Sequence, residues 1–140
     1  IEVKVRCLSA HRASKQLSEF IEEIDSDGTE VIITAAGMAA ALPGVVAAQT
    51  VLPVIGIPLS GSVLDGQDAL YSIVQMPPGI PVATVGVNGA QNAAILAVEM
   101  LAIADEELAQ RMAVYKGNLK IKIEKANAEL ATIKYQFKTN

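Results

Sequence analysis

The sequence has 140 residues, 51% apolar and 19% charged, with a net charge of −4, one cysteine, one histidine and no tryptophan. A chain this apolar is not disordered, and a disulfide scaffold would need cysteines in pairs. The acidic balance argues against a nucleic-acid binder, which needs a basic face to replace the counterions around phosphates.

Residues 2–8 alternate, with Val3, Val5 and Cys7 on one face and Glu2, Lys4 and Arg6 on the other, the period-two pattern of a strand near a sheet edge. Cys7 reads as a buried thiol in a reducing compartment. The chain opens on Ile1 and enters this strand-like run at once, so an upstream segment is expected to be missing. After a connection over residues 9–13, Leu17, Phe20, Ile21 and Ile24 recur at three and four, which places them on one helical face. Val31, Ile32 and Ile33 are consecutive and β-branched, as in a strand covered on both faces of a parallel sheet. A small-residue loop then leads into an alanine-rich helix over residues 38–50, started or interrupted near Pro43.

A third strand is predicted over residues 54–57, a loop of small residues over 58–66 and a helix over 68–75. The prolines of residues 77–81 hold an extended connection into a strand over residues 82–87. The helix predicted over residues 92–103 is apolar nearly all round apart from Glu99, so it must be buried on more than one side, within the domain or against another subunit. Strands alternating with helices at this spacing predict parallel pairing with right-handed crossovers, an α/β doubly wound sheet with helices on both faces.

The last segment differs. Asp105 reads as an N-cap with Glu106 and Glu107 in the first turn. Leu108, Met112, Tyr115, Leu119, Ile123, Ala126, Leu130, Ile133 and Phe137 form nearly a heptad seam. The alternation breaks beside Gly117, which predicts a register shift or kink between two helical pieces. Two domains follow, an α/β domain over residues 1–104 and a long amphipathic C-terminal helical arm over 105–140. Such an arm packs either on a neighbouring subunit or back on its own domain.

Charge follows the same division. Residues 1–110 carry Lys4, Arg6, Arg12 and Lys15 against thirteen carboxylates, whereas residues 111–140 carry seven basic residues against Glu124 and Glu129. No residue of 31–64 is charged. That run exceeds the roughly 20 residues that span a bilayer, but Gly37, Pro43, Gly44, Pro53, Gly56 and Pro58 would break the helix repeatedly, so no membrane span is expected.

In an open parallel sheet ligands bind beyond the carboxyl ends of the strands. The segments predicted there are residues 9–14, 34–41, 58–67 and 87–92. Their Ala, Gly and Ser content permits close backbone approach to an anion such as phosphate, and serves tight packing equally well. His11, the only histidine, sits just past a predicted strand end between Ser9 and Arg12. Its side-chain type can give and take a proton near neutral pH, or it is a solvated loop residue. Arg12 is either a phosphate clamp or a helix-start charge. One His and one Cys cannot supply a zinc set, and no nucleotide, Walker or hydrolase-elbow spacing occurs, which leaves proton chemistry without metal or cofactor.

Ser9-Ala10-His11-Arg12, residues 31–44 ending in Leu42-Pro43-Gly44, the run Leu52-Pro53-Val54-Ile55-Gly56-Ile57-Pro58, and residues 64–81 followed by Asn92-Ala93-Ala94 together resemble the N5-carboxyaminoimidazole ribonucleotide mutase family, the catalytic-subunit type of phosphoribosylaminoimidazole carboxylase. The resemblance covers roughly residues 1–110 and implies a flavodoxin-like, cytoplasmic homo-octamer of purine biosynthesis. It implies movement of a carboxylate from the exocyclic nitrogen of a small phosphoribosyl substrate to its imidazole carbon, with no cofactor, metal, nucleic-acid or membrane partner. His11 is then the general acid and base. Ser9 and Arg12 then bind near the ribose phosphate, and Ala10, Thr34, Ala35, Ala36, Gly37, Ala40, Ala41 and Leu42 are further substrate-binding positions, residues 34–41 through backbone donors. Residues 60–68 help close the site.

Three departures from the family pattern stand out. Its opening strand and Gly-Ser-x-Ser-Asp loop have no counterpart here, so the sheet is expected to lack a strand. Ala41 stands where many members have histidine, which removes a second protonic group. Ala13-Ser14 replaces Thr-Pro, with Ser14 expected to cap the next helix. The alternatives are the related carboxylase, which takes free carbon dioxide, and a non-catalytic truncated oligomeric relative. The Leu42-Pro43-Gly44 form favours the mutase.

Overall fold

The computed structural model describes residues 1–61 and 63–134. Three strands, β1 (Ile32–Ala36), β2 (Val54–Pro58) and β3 (Ala83–Thr84), pair in parallel in the order β1-β2-β3. The helices are α1 (Ser14–Ile24), α2 (Ala41–Ala47), α3 (Gln67–Val74), α4 (Ala90–Leu101) and α5 (Glu106–Ala131). The sheet is the parallel α/β arrangement expected from the alternating pattern, of the flavodoxin-like kind that the resemblance implies. Contacts divide the chain into two compact units, Ile1–Met100 and Leu101–Asn140.

β2 is the middle strand, and all five of its residues are buried. Alternation sends its side chains to opposite faces. Val54 joins Leu17 and Ile21 of α1 and Val46 of α2 in one apolar cluster, while Ile55 and Ile57 pack with Ala93 of α4 in another. A third cluster is formed by Ala40 with Ala69 and Ile73 of α3. Helices therefore cover both faces. Gly56 allows the tightest approach: a Cβ there would lie 2.5 Å from Ile73 Cγ2 and 3.0 Å from Val82 Cγ1. In α1, Leu17, Ile21 and Ile24 are buried at the predicted spacing of four and three.

The predicted N-terminal strand is not formed. Residues 1–7 are exposed and unassigned, because an alternating segment becomes a strand only with a ladder partner, and β1 pairs only with β2 among the described residues. Cys7, expected to be buried, is exposed for the same reason. The segment is still anchored. Leu8 packs against the first cluster, Arg6 lies 5.5 Å from the centroid of the Phe20 ring, and Lys4 forms an ion pair with Asp27.

That pair titrates in acid. Hydrogen bonds from Lys4 and then from Thr29 hold the Asp27 carboxyl down to about 2, from an ordinary 3.8. A depressed carboxylate stabilises its fold above the unfolded value and loses that contribution as pH falls through the folded one. The anchor should therefore be intact above about pH 4 and released between about pH 4 and pH 2. A Lys4→Met chain should show the Asp27 carboxyl signal titrating closer to its ordinary value by NMR; an unmoved titration would assign the depression to Thr29.

Other elements are shorter than predicted. The strand over residues 82–87 contracts to Ala83–Thr84, although Val85 N–H still donates to Gly56 O at 3.1 Å, because the chain turns at Gly86 and Asn88. The helix over residues 38–50 contracts to α2, with Pro43 in its first turn, where a missing N–H costs nothing. Ser14 does not cap α1, whose N-cap is Ala13 without a side-chain bond; Ser9 instead accepts from Arg12 N–H through Oγ at 3.2 Å. In α4 only Ala93 is buried, so the expected burial on several sides is absent in the single chain.

In the second unit, Asp105 caps α5 as predicted, accepting Leu108 N–H at 3.0 Å. In place of two helical pieces, one helix runs through Gly117, since the i to i+4 ladder needs no Cβ. No residue of α5 is buried, and Leu119 and Ile123 of its apolar stripe are 59% and 62% exposed. Phe137, the last position of the predicted seam, lies outside the described residues. No helix among the described residues is long and apolar enough to cross a membrane.

Candidate active site

The carboxyl ends of the strands gather three loops. After β1, Leu59 N–H donates to Ala36 O at 2.9 Å, and after β2, Asn88 N–H donates to Pro58 O at 2.8 Å. Each loop is thus stitched to the next. Among the described residues, the non-glycine residues with left-handed backbone, Met38, Ala40, Asp65 and Asn88, all fall in these loops. Such conformations cost energy and persist where surrounding contacts enforce them, often at functional sites.

The predicted residues take distinct places. Thr34, within β1, is buried, and its hydroxyl donates to Ile55 O at 3.2 Å, so that hydroxyl is not offered to a ligand. Ala35 and Ala36 end β1 opposite Ile57 and Pro58. Gly37 O accepts Ala40 N–H at 3.0 Å, and Ala40 turns its methyl into the cluster with Ala69 and Ile73. Ala41 opens α2. Leu42 and Ala10 pack on the same cluster of Leu17, Ile21, Val46 and Val54, which ties the Ser9-Ala10-His11-Arg12 turn to the segment after β1.

His11 and Arg12 are exposed on that turn. Ser9 shapes it: besides the Oγ bond, its carbonyl accepts Ala13 N–H at 2.9 Å. Of the four cations in residues 1–110, Lys4 is paired with Asp27, Arg6 lies over Phe20, and Lys15 sits 3.7 Å from Glu19. Arg12 has none of these engagements among the described residues. A guanidinium so placed beside an imidazole can hold a phosphate while the imidazole moves a proton. Among the described residues no three His, Cys, Asp or Glu side chains group so as to hold a metal ion.

The AIR carboxylase family model matches residues 1–122. The chain belongs to that family. The N5-carboxyaminoimidazole ribonucleotide mutase of Pyrococcus abyssi is 49% identical over 120 residues, covering 86% of this chain and 69% of that protein. The mutase of Methanocaldococcus jannaschii is 50% identical over 123 residues, covering 88% and 76%. A phosphoribosylaminoimidazole carboxylase of Candida glabrata is 45% identical over 136 residues, 97% of this chain but 24% of that longer protein. The crystal structure of Treponema denticola PurE superposes with a TM-score of 0.85 at 30% identity, covering 93% of this chain and 81% of that one.

Residues 58–67 and 87–92 were expected beyond the strand ends, but not the side-chain bond that joins them. Asn88 Oδ1 accepts Ser60 N–H at 3.1 Å, and Asn88 Nδ2 donates to Ser60 Oγ at 2.7 Å. The Asn88-Gly89 dipeptide is a turn signal that could have marked the position, although not the partner.

Proposed function

We propose that this chain is an N5-carboxyaminoimidazole ribonucleotide mutase of purine biosynthesis, an isomerase that moves the carboxylate of a small phosphoribosyl substrate from the exocyclic nitrogen to the imidazole carbon. The observation that carries the reading is the exposed His11-Arg12 pair, with Arg12 uncommitted among the described residues, in a chain about half identical to proteins so named.

The roles follow from what each group can do. Arg12 offers its guanidinium to the ribose phosphate, with Ser9 shaping the turn beneath it. His11 protonates the ring carbon as carbon dioxide leaves the nitrogen, and takes the proton back once the carbon has recaptured it, so no net proton is consumed. The main chain around Gly37, Ala40, Ala41 and Leu42, with Ala35 and Ala36, forms the wall against the ring. With Ala41 in the position discussed above, proton transfer rests on His11. Carbon dioxide must be retained between the steps, which needs a closed site. His11 is open in the single chain, and α4 and α5 leave apolar surface uncovered, which favours closure by neighbours in a cytoplasmic homo-octamer.

The test is a two-substrate assay on the full chain. The mutase reading expects conversion of N5-carboxyaminoimidazole ribonucleotide without added bicarbonate, and little turnover of aminoimidazole ribonucleotide supplied with bicarbonate. The opposite pattern would assign the chain to the carboxylase, a lyase, and inactivity on both would leave the non-catalytic relative.

A further inference from the structure

Asn88 joins the ends of two strands with both halves of its side chain. Its own N–H reaches Pro58 O, its Oδ1 takes the Ser60 amide, and its Nδ2 gives to Ser60 Oγ at 2.7 Å. A carboxamide presents an acceptor and a donor side by side in this way, whereas an ionised carboxylate has acceptors alone. Asparagine also tolerates the left-handed backbone found here, with φ at 58°.

The bracing continues from Ser60 towards the proposed substrate. The adjoining Leu59 donates its N–H to Ala36 O, and it lies against Gly37, where a Cβ would come within 3.5 Å of Leu59 O and 3.7 Å of its Cβ. Gly37 in turn receives the Ala40 amide. From the other side, Gly66 brings its backbone against the same place: a Cβ on it would be 2.7 Å from Val87 Cγ1 and 3.3 Å from Ser60 Cα. A continuous path of contacts therefore runs from Asn88 through Ser60 and Leu59 to Gly37.

We propose that Asn88 is a positioning residue for the carboxylate transfer, its carboxamide fixing Ser60 and, through Leu59, the Gly37–Ala40 turn against which the substrate lies. The proposal rests on the mutase reading for its kinetic consequence and on the geometry alone for its structural one. A turn residue needed only for its backbone would act through φ; a positioning residue acts through the side chain.

Asn88→Gly separates these, because glycine keeps the left-handed φ and removes the carboxamide. The full chain carrying it should show kcat/KM for N5-carboxyaminoimidazole ribonucleotide reduced about ten- to a hundredfold, with KM raised and the thermal midpoint little changed. Amide hydrogen exchange should speed up at Ser60 and at Ala40. Asn88→Asp, which retains an acceptor for the Ser60 amide but not the donor, should restore part of both. Unchanged KM, or exchange at Ala40 identical to that of the unmodified chain, would overturn the proposal. Loss of kcat at constant KM in step with loss of folded protein would overturn it too. If Asn88→Gly fails to fold, the same comparison on Asn88→Asp decides. If the unmodified chain has no turnover, the mutase reading falls, and exchange at Ala40 alone decides for or against the bracing.

Discussion

The His11→Asn chain should turn over substrate about 100-fold or more slowly than the unmodified protein, a barrier rise of about 2.7 kcal/mol, while folding normally. His11 is exposed and makes no hydrogen bond among the described residues, so its removal takes nothing from the core. Substitutions at such surface positions usually stay within about 0.5 kcal/mol of the parent in stability. Asparagine is polar and of similar bulk but cannot exchange a proton at neutral pH, so KM should change little while kcat falls. Arg12→Ala should separate in the other direction, raising KM because its loss removes a charge-assisted hold on phosphate. Steady-state kinetics on the two variants check both. Retained activity in His11→Asn would remove His11 from the chemistry.

Gly56→Ala should be the most damaging small substitution in the sheet, costing about 3 kcal/mol and lowering the urea midpoint accordingly. Gly56 lies within β2, where every residue is buried, and its face is closed by α2 and α3. The added methyl would meet Ile73 Cγ2 at 2.5 Å, Val82 Cγ1 at 3.0 Å and Pro43 Cβ at 3.4 Å, none of them the far end of a flexible side chain. Ile73 is itself fully buried and has no room to retreat. Because the clash is specific, Ile73→Leu, which removes the offending branch at Cβ, should recover part of the loss in the double variant. That non-additivity separates a steric collision from a general dislike of alanine in the strand. Equal losses in the single and double variants would place the cost elsewhere.

The parts of the fold that the sequence predicted correctly are those where local pattern and burial agree. The apolar run of β2 is a buried strand, and Leu17, Ile21 and Ile24 carry their helical spacing into the core; the β-branched run before Thr34 enters β1, but Ile33 is 44% exposed, so the cover expected on both its faces is incomplete in the single chain. Where an element depends on a distant partner, the pattern alone misled. Residues 2–8 alternate as a strand should, yet pairing decides strand formation and none is present among the described residues. Cys7 followed that error into solvent. The apolar composition of α4 demands cover that a single chain does not supply. Gly117 does not divide α5 into two pieces, since a single glycine costs a helix about 1 kcal/mol without having to end it.

For the site, the Ser9-Ala10-His11-Arg12 run was visible because its residue types carry chemistry in themselves. The commitment of the Thr34 hydroxyl to Ile55, and the Asn88–Ser60 bracing across 28 positions of sequence, were not, because each depends on a strand register that only folding supplies.

If the carboxylate moves within one enclosed site served by His11, its carbon stays with the substrate it left. The most direct measurement supplies N5-carboxyaminoimidazole ribonucleotide labelled with carbon-13 in its carboxylate, in unlabelled bicarbonate, and reads the label in the product by mass spectrometry. Retention of the label in most of the product is the predicted result. Product labelled only at the level of the bulk bicarbonate, or no product, would contradict it.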